Sequence, residues 1–152
     1  MKTLACTLII AAGLIVSFIL ITEEKEKISK VRCAVEFTSL MKVQIENFKT
    51  PMSDIISMYI RTSKRKKDIS FTESPESLPE ELEDMMPDDG RTLWTVKEIM
   101  NGSYDDAVRG SAALENRAKE LLEKEQRAYN ERKRTLMILP PAACLLLVIL
   151  IL

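Results

Sequence analysis

The chain has 152 residues, with 22 Lys and Arg against 23 Asp and Glu, a formal net charge of −1 and no histidine. This balance argues against a nucleic-acid-binding protein, which would need a concentrated basic face, and the lack of histidine removes the commonest general base and metal ligand. The four glycines form no phosphate-binding loop. Cys6 and Cys144 lie in apolar ends of the chain, and Cys33 alone cannot build a disulfide framework or a zinc site. We therefore predict no enzyme, cofactor or small-molecule substrate.

The first predicted element is a membrane-spanning helix over residues 4–21. These 18 residues carry no charge, and at helical rise they extend roughly 27 Å, close to the hydrocarbon thickness of a bilayer. A helix can cross that layer because it satisfies its own backbone hydrogen bonds. A cleaved signal peptide is the alternative, although the residues after the run offer no small-x-small cleavage site.

Residues 23–48 are predicted to continue this helix directly, because neither proline nor glycine interrupts them. Their apolar residues follow the three-and-four spacing of a packed stripe, with one threonine filling a step. An independent coiled-coil dimer is the weaker interpretation, since only about three heptads are present. The stripe comprises Ile28, Val31, Val35, Thr38, Met41, Ile45 and Phe48.

A break at residues 49–51 separates this helix from a second one. Proline disfavours a helical residue before it and suits a first helical position, while Thr50 can cap the helix that begins at Pro51. We expect the second helix to run to about Ser63 and to pack back on the first, which makes a helical hairpin. The side chains predicted to pack are Ile55, Ile56, Tyr59 and Ile60.

A basic run over residues 61–67 and an acidic, proline-containing stretch over 73–89 come next. Both patterns are compatible with docking patches, or with lipid headgroups for the basic run, but solvated surface is the simpler interpretation. Short helices are predicted at residues 80–85 and 92–100. The second of these has Leu93, Val96 and Met100 inward and ends at residues 101–102.

The last long helix is predicted to begin at Ser103, where a hydroxyl cap precedes two acidic residues. Its narrow stripe of mostly small residues, Ala107, Leu114, Ala118, Leu121 and Ala128, is weakened by Gly110 and Glu125. The helix leads into residues 136–152, 17 residues without charge that predict a second membrane segment. Pro140 and Pro141 predict a kink or a restart there. A tail buried in a partner's hydrophobic groove is the alternative.

The charges beside the two apolar runs predict their orientation, because lysine and arginine resist translocation. Lys and Arg cluster on the inner side of both runs, at residues 25–32 and 127–134. We therefore expect an all-α protein with three parts: an N-terminal transmembrane segment (1–22), a cytoplasmic helical hairpin or bundle (23–134), and a C-terminal hydrophobic membrane segment (135–152).

Residues around the first break resemble the stage III sporulation protein AB family of endospore-forming Firmicutes. The family's signature reads apolar-x-x-Glu-Ile-x-Tyr-x-x-Thr-Pro-Leu, and Ile45, Thr50 and Pro51 match it, with Gln, Asn and Met in place of Glu, Tyr and Leu. Members also share the order of membrane segment, helical domain and leucine-rich hydrophobic tail. The residues that carry the resemblance are Arg32, Met41, Gln44, Ile45, Asn47, Thr50, Pro51 and Met52.

The resemblance implies a non-enzymatic component of the mother-cell sporulation channel, located in the membrane facing the forespore and needed for late forespore gene expression. The family's soluble domain is similar to the platform proteins of type II secretion machines, which implies the secretion-type ATPase of the stage III complex as partner. Two rival interpretations remain: a structural coiled-coil protein of the division or envelope apparatus, and a phage-type lysis protein.

Overall fold

The structure is a computed structural model that describes residues 2–63, 71–72, 74–87 and 90–151. All regular secondary structure in these ranges is α-helical, which confirms the predicted all-α class. Two compact units share the chain: a terminal unit (Met1–Lys27 with Glu125–Leu152) and a central unit (Ile28–Lys124). The helices are α1 (Lys2–Phe48), α2 (Met52–Thr62), α3 (Leu78–Met85), α4 (Arg91–Asn101) and α5 (Tyr104–Ile151).

Helix α1 runs without interruption from the apolar segment into the charged one, as the absence of helix-breaking residues predicted. Within Thr7–Phe48 it contains an 18-residue window of mean hydropathy 1.9, of which only 11% is buried. By length and composition, this helix is able to cross a membrane.

The predicted break follows α1 at Lys49, which adopts a left-handed conformation with φ 51°. The Thr50 N–H then reaches back to the Gln44 carbonyl at 3.3 Å. The capping prediction for Thr50 was wrong: Pro51 occupies the N-cap position, and no side chain caps α2 there. The hydroxyl of Thr50 instead donates to Gln44 Oε1 at 3.0 Å, because the turn points it towards α1.

The core of the central unit uses more of α1 than the predicted stripe. Ile28, Val31, Thr38, Met41 and Ile45 are buried as expected, and Val35 is partly buried. Phe48 was predicted to pack but is 67% exposed, because it is the last residue of α1. Buried residues that the stripe missed are Cys33, Ala34 and Phe37.

An aromatic cluster joins α1, α2 and the segment after it. Phe37 lies 5.3 Å from the ring of Tyr59 and 4.7 Å from that of Phe71. The Tyr59 hydroxyl donates to the Cys33 carbonyl at 3.1 Å, and burial raises the pKa of this phenol. Ile55 and Ile56 are also buried and Ile60 is partly buried, so the predicted inward face of α2 is confirmed.

Two acidic side chains of the 73–89 stretch, both partly exposed, accept hydrogen bonds from backbone amides. Glu83 accepts hydrogen bonds from the N–H groups of Gly90 (2.9 Å) and Leu93 (3.1 Å) at the start of α4. Glu81 accepts the Thr72 N–H at 3.0 Å. The Glu83 contacts are stabilising, because amides at the start of a helix have no partner within the helix. Lys64–Lys67, Glu73, Asp88 and Asp89 lie outside the described residues.

Helix α5 begins with the Ser103 hydroxyl cap that its sequence predicted, and Asp106 makes the cap reciprocal. The Asp106 N–H donates to Ser103 Oγ at 3.3 Å, and the Ser103 hydroxyl donates to Asp106 Oδ2 at 2.6 Å. Hydrogen bonds from Ser103 lower the pKa of the Asp106 carboxyl. The helix continues through Pro140 and Pro141 to Ile151, so the predicted restart does not occur.

Gly110 was predicted to weaken the apolar stripe of α5, and the structure gives it a packing role. A Cβ at this position would lie 2.7 Å from Cγ1 of Ile99 on α4. Ile99 is itself buried, at 6% exposure. The missing side chain therefore lets α4 pack directly on the backbone of α5. Ala107, Leu114 and Ala118 are buried as predicted.

Candidate functional site

Four of the eight sequence-predicted site residues line one surface groove in the central unit. Ile45 from α1, Thr50 and Pro51 from the break, and Met52 from α2 share a pocket of about 200 Å³ with residues of α4 and α5. We call this pocket the α1–α2 groove. Its other lining residues are Lys49, Ile99, Met100, Tyr104 and Ala107.

The backbone turn at the break shapes this groove. Because Lys49 is left-handed, the chain reverses within three residues and brings Pro51 and Met52 beside the end of α1. Lys49 Nζ lies 4.7 Å from the centroid of the Tyr104 ring, and the Tyr104 hydroxyl donates to the Glu46 carbonyl at 3.0 Å. Both contacts tie the start of α5 to the end of α1 and support one wall of the groove.

The remaining predicted site residues lie elsewhere. Gln44 adjoins the groove through its bond to Thr50, and Met41 is fully buried in the core. Asn47 is exposed, and its amide donates to the Val43 carbonyl at 3.2 Å. Arg32 is half-buried on α1, and its 13 positions from Ile45 amount to roughly 20 Å of helix.

Exposed apolar side chains occur on the same end of α1. Phe48 is 67% exposed and Val43 is 46% exposed. The groove itself contributes apolar surface from the half-buried Met52 and Met100, with the buried Ile45 behind them and the Thr50 hydroxyl and the Lys49 ammonium among its polar groups. Such a surface suits an apolar side chain of another protein better than it suits a polar ligand.

A buried carboxylate between α1 and α5 is the main polar feature that the sequence analysis missed. The Glu115 side chain is only 9% exposed, and it pairs with Lys119 Nζ at 2.7 Å and Lys42 Nζ at 3.0 Å. The Ser39 hydroxyl also donates to Glu115 Oε1 at 2.9 Å. The donated hydrogen bonds lower the pKa of Glu115 to about 2 and raise that of Lys42.

This arrangement is structural in character. Lys119, Lys42 and Ser39 all donate to the ionised Glu115 and stabilise its charge, so the carboxylate is a poor proton acceptor at neutral pH. The only signals in the sequence were the spacing of Ser39 and Lys42 on one helix and of Glu115 and Lys119 on another. Neither spacing shows that the two helices meet.

The chain matches no protein-family model, and comparisons with curated proteins and with solved structures also found no match.

Proposed function

We propose that the protein is a non-enzymatic, membrane-anchored component of the mother-cell sporulation channel, a divergent member of the stage III sporulation protein AB family. The observation that carries this proposal is the convergence of signature residues on one surface. Ile45, Thr50, Pro51 and Met52 line the α1–α2 groove together. A signature that converges on an exposed groove is better explained by a shared binding surface than by folding alone.

The departures from the family signature are compatible with the geometry of the groove. Gln44 stands where the family has Glu, and either side chain offers the oxygen that accepts the Thr50 hydroxyl. Asn47 replaces Tyr at an exposed position, and Met52 replaces Leu at a half-buried one. Leucine-to-methionine changes of similar volume are well tolerated. The substitutions therefore preserve the contacts that this turn uses.

The central unit acts, in this proposal, as a folded cytoplasmic bundle rather than a coiled coil. The α1 stripe contributes to a core shared with α2, α3, α4 and α5 of the same chain. That use of the stripe supports the bundle over an intermolecular coiled coil. The Lys and Arg beside both apolar runs support a cytoplasmic location for this unit. A cytoplasmic bundle is accessible to the secretion-type ATPase of the complex.

The test uses the groove in sporulating cells. We expect Met52→Glu, which places a charge in the groove, to abolish spore formation and co-isolation of the secretion-type ATPase. Ser53→Glu is the matched control, because Ser53 is the next residue and is exposed. Protein levels and the helical circular dichroism of both variants establish that each is folded. Normal sporulation of cells that lack the gene, or lysis of cells that overexpress it, would refute the proposed role.

A further inference from the structure

The two apolar runs contact each other closely inside the terminal unit. Gly13 is buried, and a Cβ at this position would lie 2.6 Å from Cys144 Sγ and 3.3 Å from the Pro140 carbonyl oxygen. No side chain larger than hydrogen fits there without movement. The close approach of α1 and α5 at this point therefore depends on the glycine.

A second contact defines the direction and register of the pair. Glu24 Oε1 lies 3.8 Å from Arg132 Nη1. Glu24 is 11 positions after Gly13 on α1, and Arg132 is 12 positions before Cys144 on α5. The two segments are therefore antiparallel. The same register sets the end of the first run, near Ile21, level with residues 132–136, where the second run begins. Both runs therefore change from charged to apolar sequence at the same level along the helix pair.

Small side chains lie at the contact between the two runs, and many large apolar side chains face away from it. Ser17, one turn after Gly13, is 6% exposed, and its hydroxyl donates to the Gly13 carbonyl at 3.1 Å, so it brings no unsatisfied polar group into the contact. Val148 is 8% exposed. Many of the large apolar residues face outward, including Leu8, Leu14, Phe18, Ile138, Leu139 and Leu146, which are 56–73% exposed.

We propose that the two apolar runs form one antiparallel membrane hairpin, packed through Gly13 and Ser17 against the Cys144 face of α5 and covered outside by lipid acyl chains. This inference rests on the proposed membrane anchoring and makes the C-terminal run a second spanning helix. Lipid is the occupant that the surface fits, because the two runs carry no charge over 18 and 17 residues, begin at one level and are flanked there by Lys and Arg. Helices in lipid associate through packing of small residues, as at Gly13.

Disulfide formation in native membranes tests the hairpin. The full chain carries Cys6→Ser and Cys33→Ala, retains Cys144, receives Gly13→Cys, and has a protease site inserted at exposed Ser74. After oxidation and cleavage, we expect the two fragments to stay joined without reductant and to separate with it. Leu14→Cys in the same background is the control, because Leu14 is 56% exposed, and we expect its fragments to separate.

A second cysteine pair tests the same hairpin if the Gly13 variant fails to fold. Glu24→Cys with Arg132→Cys, joined by a short bismaleimide, reports the same register near the charged end. Three outcomes would overturn the hairpin. The fragments could stay joined equally in the Gly13→Cys and Leu14→Cys variants, the disulfide could appear only as a species of doubled mass before cleavage, or the fragments could separate in both designed cysteine pairs. Extraction of the protein by alkaline carbonate would refute the membrane anchoring itself. Retention in the membrane with separated fragments would refute the hairpin alone.

Discussion

The carboxylate of Glu115 offers the sharpest test of the central unit, and Glu115→Gln is the perturbation. Glutamine has nearly the same shape and still accepts the Ser39 hydroxyl, but it removes the charge that Lys119 and Lys42 face. We expect the variant to fold with the same helices and to be less stable at neutral pH. The loss arises from the ion pairs, since volume and packing are preserved.

The magnitude follows from the lowering of the Glu115 pKa to about 2, caused first by the Lys119 hydrogen bond and then by Lys42 and Ser39. Each pH unit of lowering is worth about 1.4 kcal/mol, which sets an upper bound of about 3.5 kcal/mol. The Lys119 side chain is 53% exposed, so solvent screening reduces this to about 1–2 kcal/mol. Because folding lowers the pKa, the stabilisation is present above the ordinary value of 4.5 and is lost as the pH falls towards 2.

The assay is urea unfolding of the full chain in detergent micelles, followed by circular dichroism between pH 7 and pH 2.5. We expect the wild type to exceed Glu115→Gln in free energy of unfolding at pH 7, and the difference to shrink below pH 4.5. Glu120→Gln, at an exposed position on the same helix, is the control and should change little. A difference that stays constant across the pH range would show that the charge of Glu115 is not what its neighbours stabilise.

Three further predictions, on a packing contact, a backbone turn and a hydrogen bond, use the same unfolding assay. Gly110→Ala should destabilise the protein by about 1–2 kcal/mol through overpacking against Ile99. In the Ile99→Ala background, which removes the obstructing carbon, the same change should be neutral or stabilising. Destabilisation that persists in the double variant would contradict the contact. Lys49→Gly should be about 1 kcal/mol more stable than Lys49→Ala because of the left-handed backbone, and equal stability would count against that turn. Tyr59→Phe should cost about 1 kcal/mol through loss of the hydrogen bond to the Cys33 carbonyl, whereas an unchanged midpoint would argue against that bond.

Local signals predicted most of the helices. The uninterrupted course of α1, the break before Met52 and the cap formed by Ser103 and Asp106 each depend on residues within a few positions of one another. Such features are encoded by backbone sterics and by hydrogen bonds that a short segment makes with itself. The sequence therefore indicated where helices begin and end, with errors of a few residues.

Contacts between distant segments could not be predicted in this way. The bond between Ser39 and Glu115 joins residues 76 positions apart, and it forms only because α1 packs against α5. Phe37 is buried for a similar reason, since α1 faces α2 on one side and α5 on another, which makes its core face wider than one stripe. Gly110 was predicted to weaken the apolar stripe of α5, because its packing partner, Ile99, belongs to a different helix.

The bond between Thr50 and Gln44 decides which stabilising role Thr50 has, and a double-mutant cycle measures it. If Thr50 capped α2, Thr50→Ala would cost about 1 kcal/mol whether or not Gln44 were present. Because its hydroxyl instead donates to Gln44 Oε1, we expect Thr50→Ala and Gln44→Ala each to cost less than about 1 kcal/mol, with little added by combining them. Fully additive costs would show that the two side chains do not stabilise each other. Ile45→Asp should exceed both, at more than about 3 kcal/mol, because Ile45 is 5% exposed and a carboxylate there has to be buried.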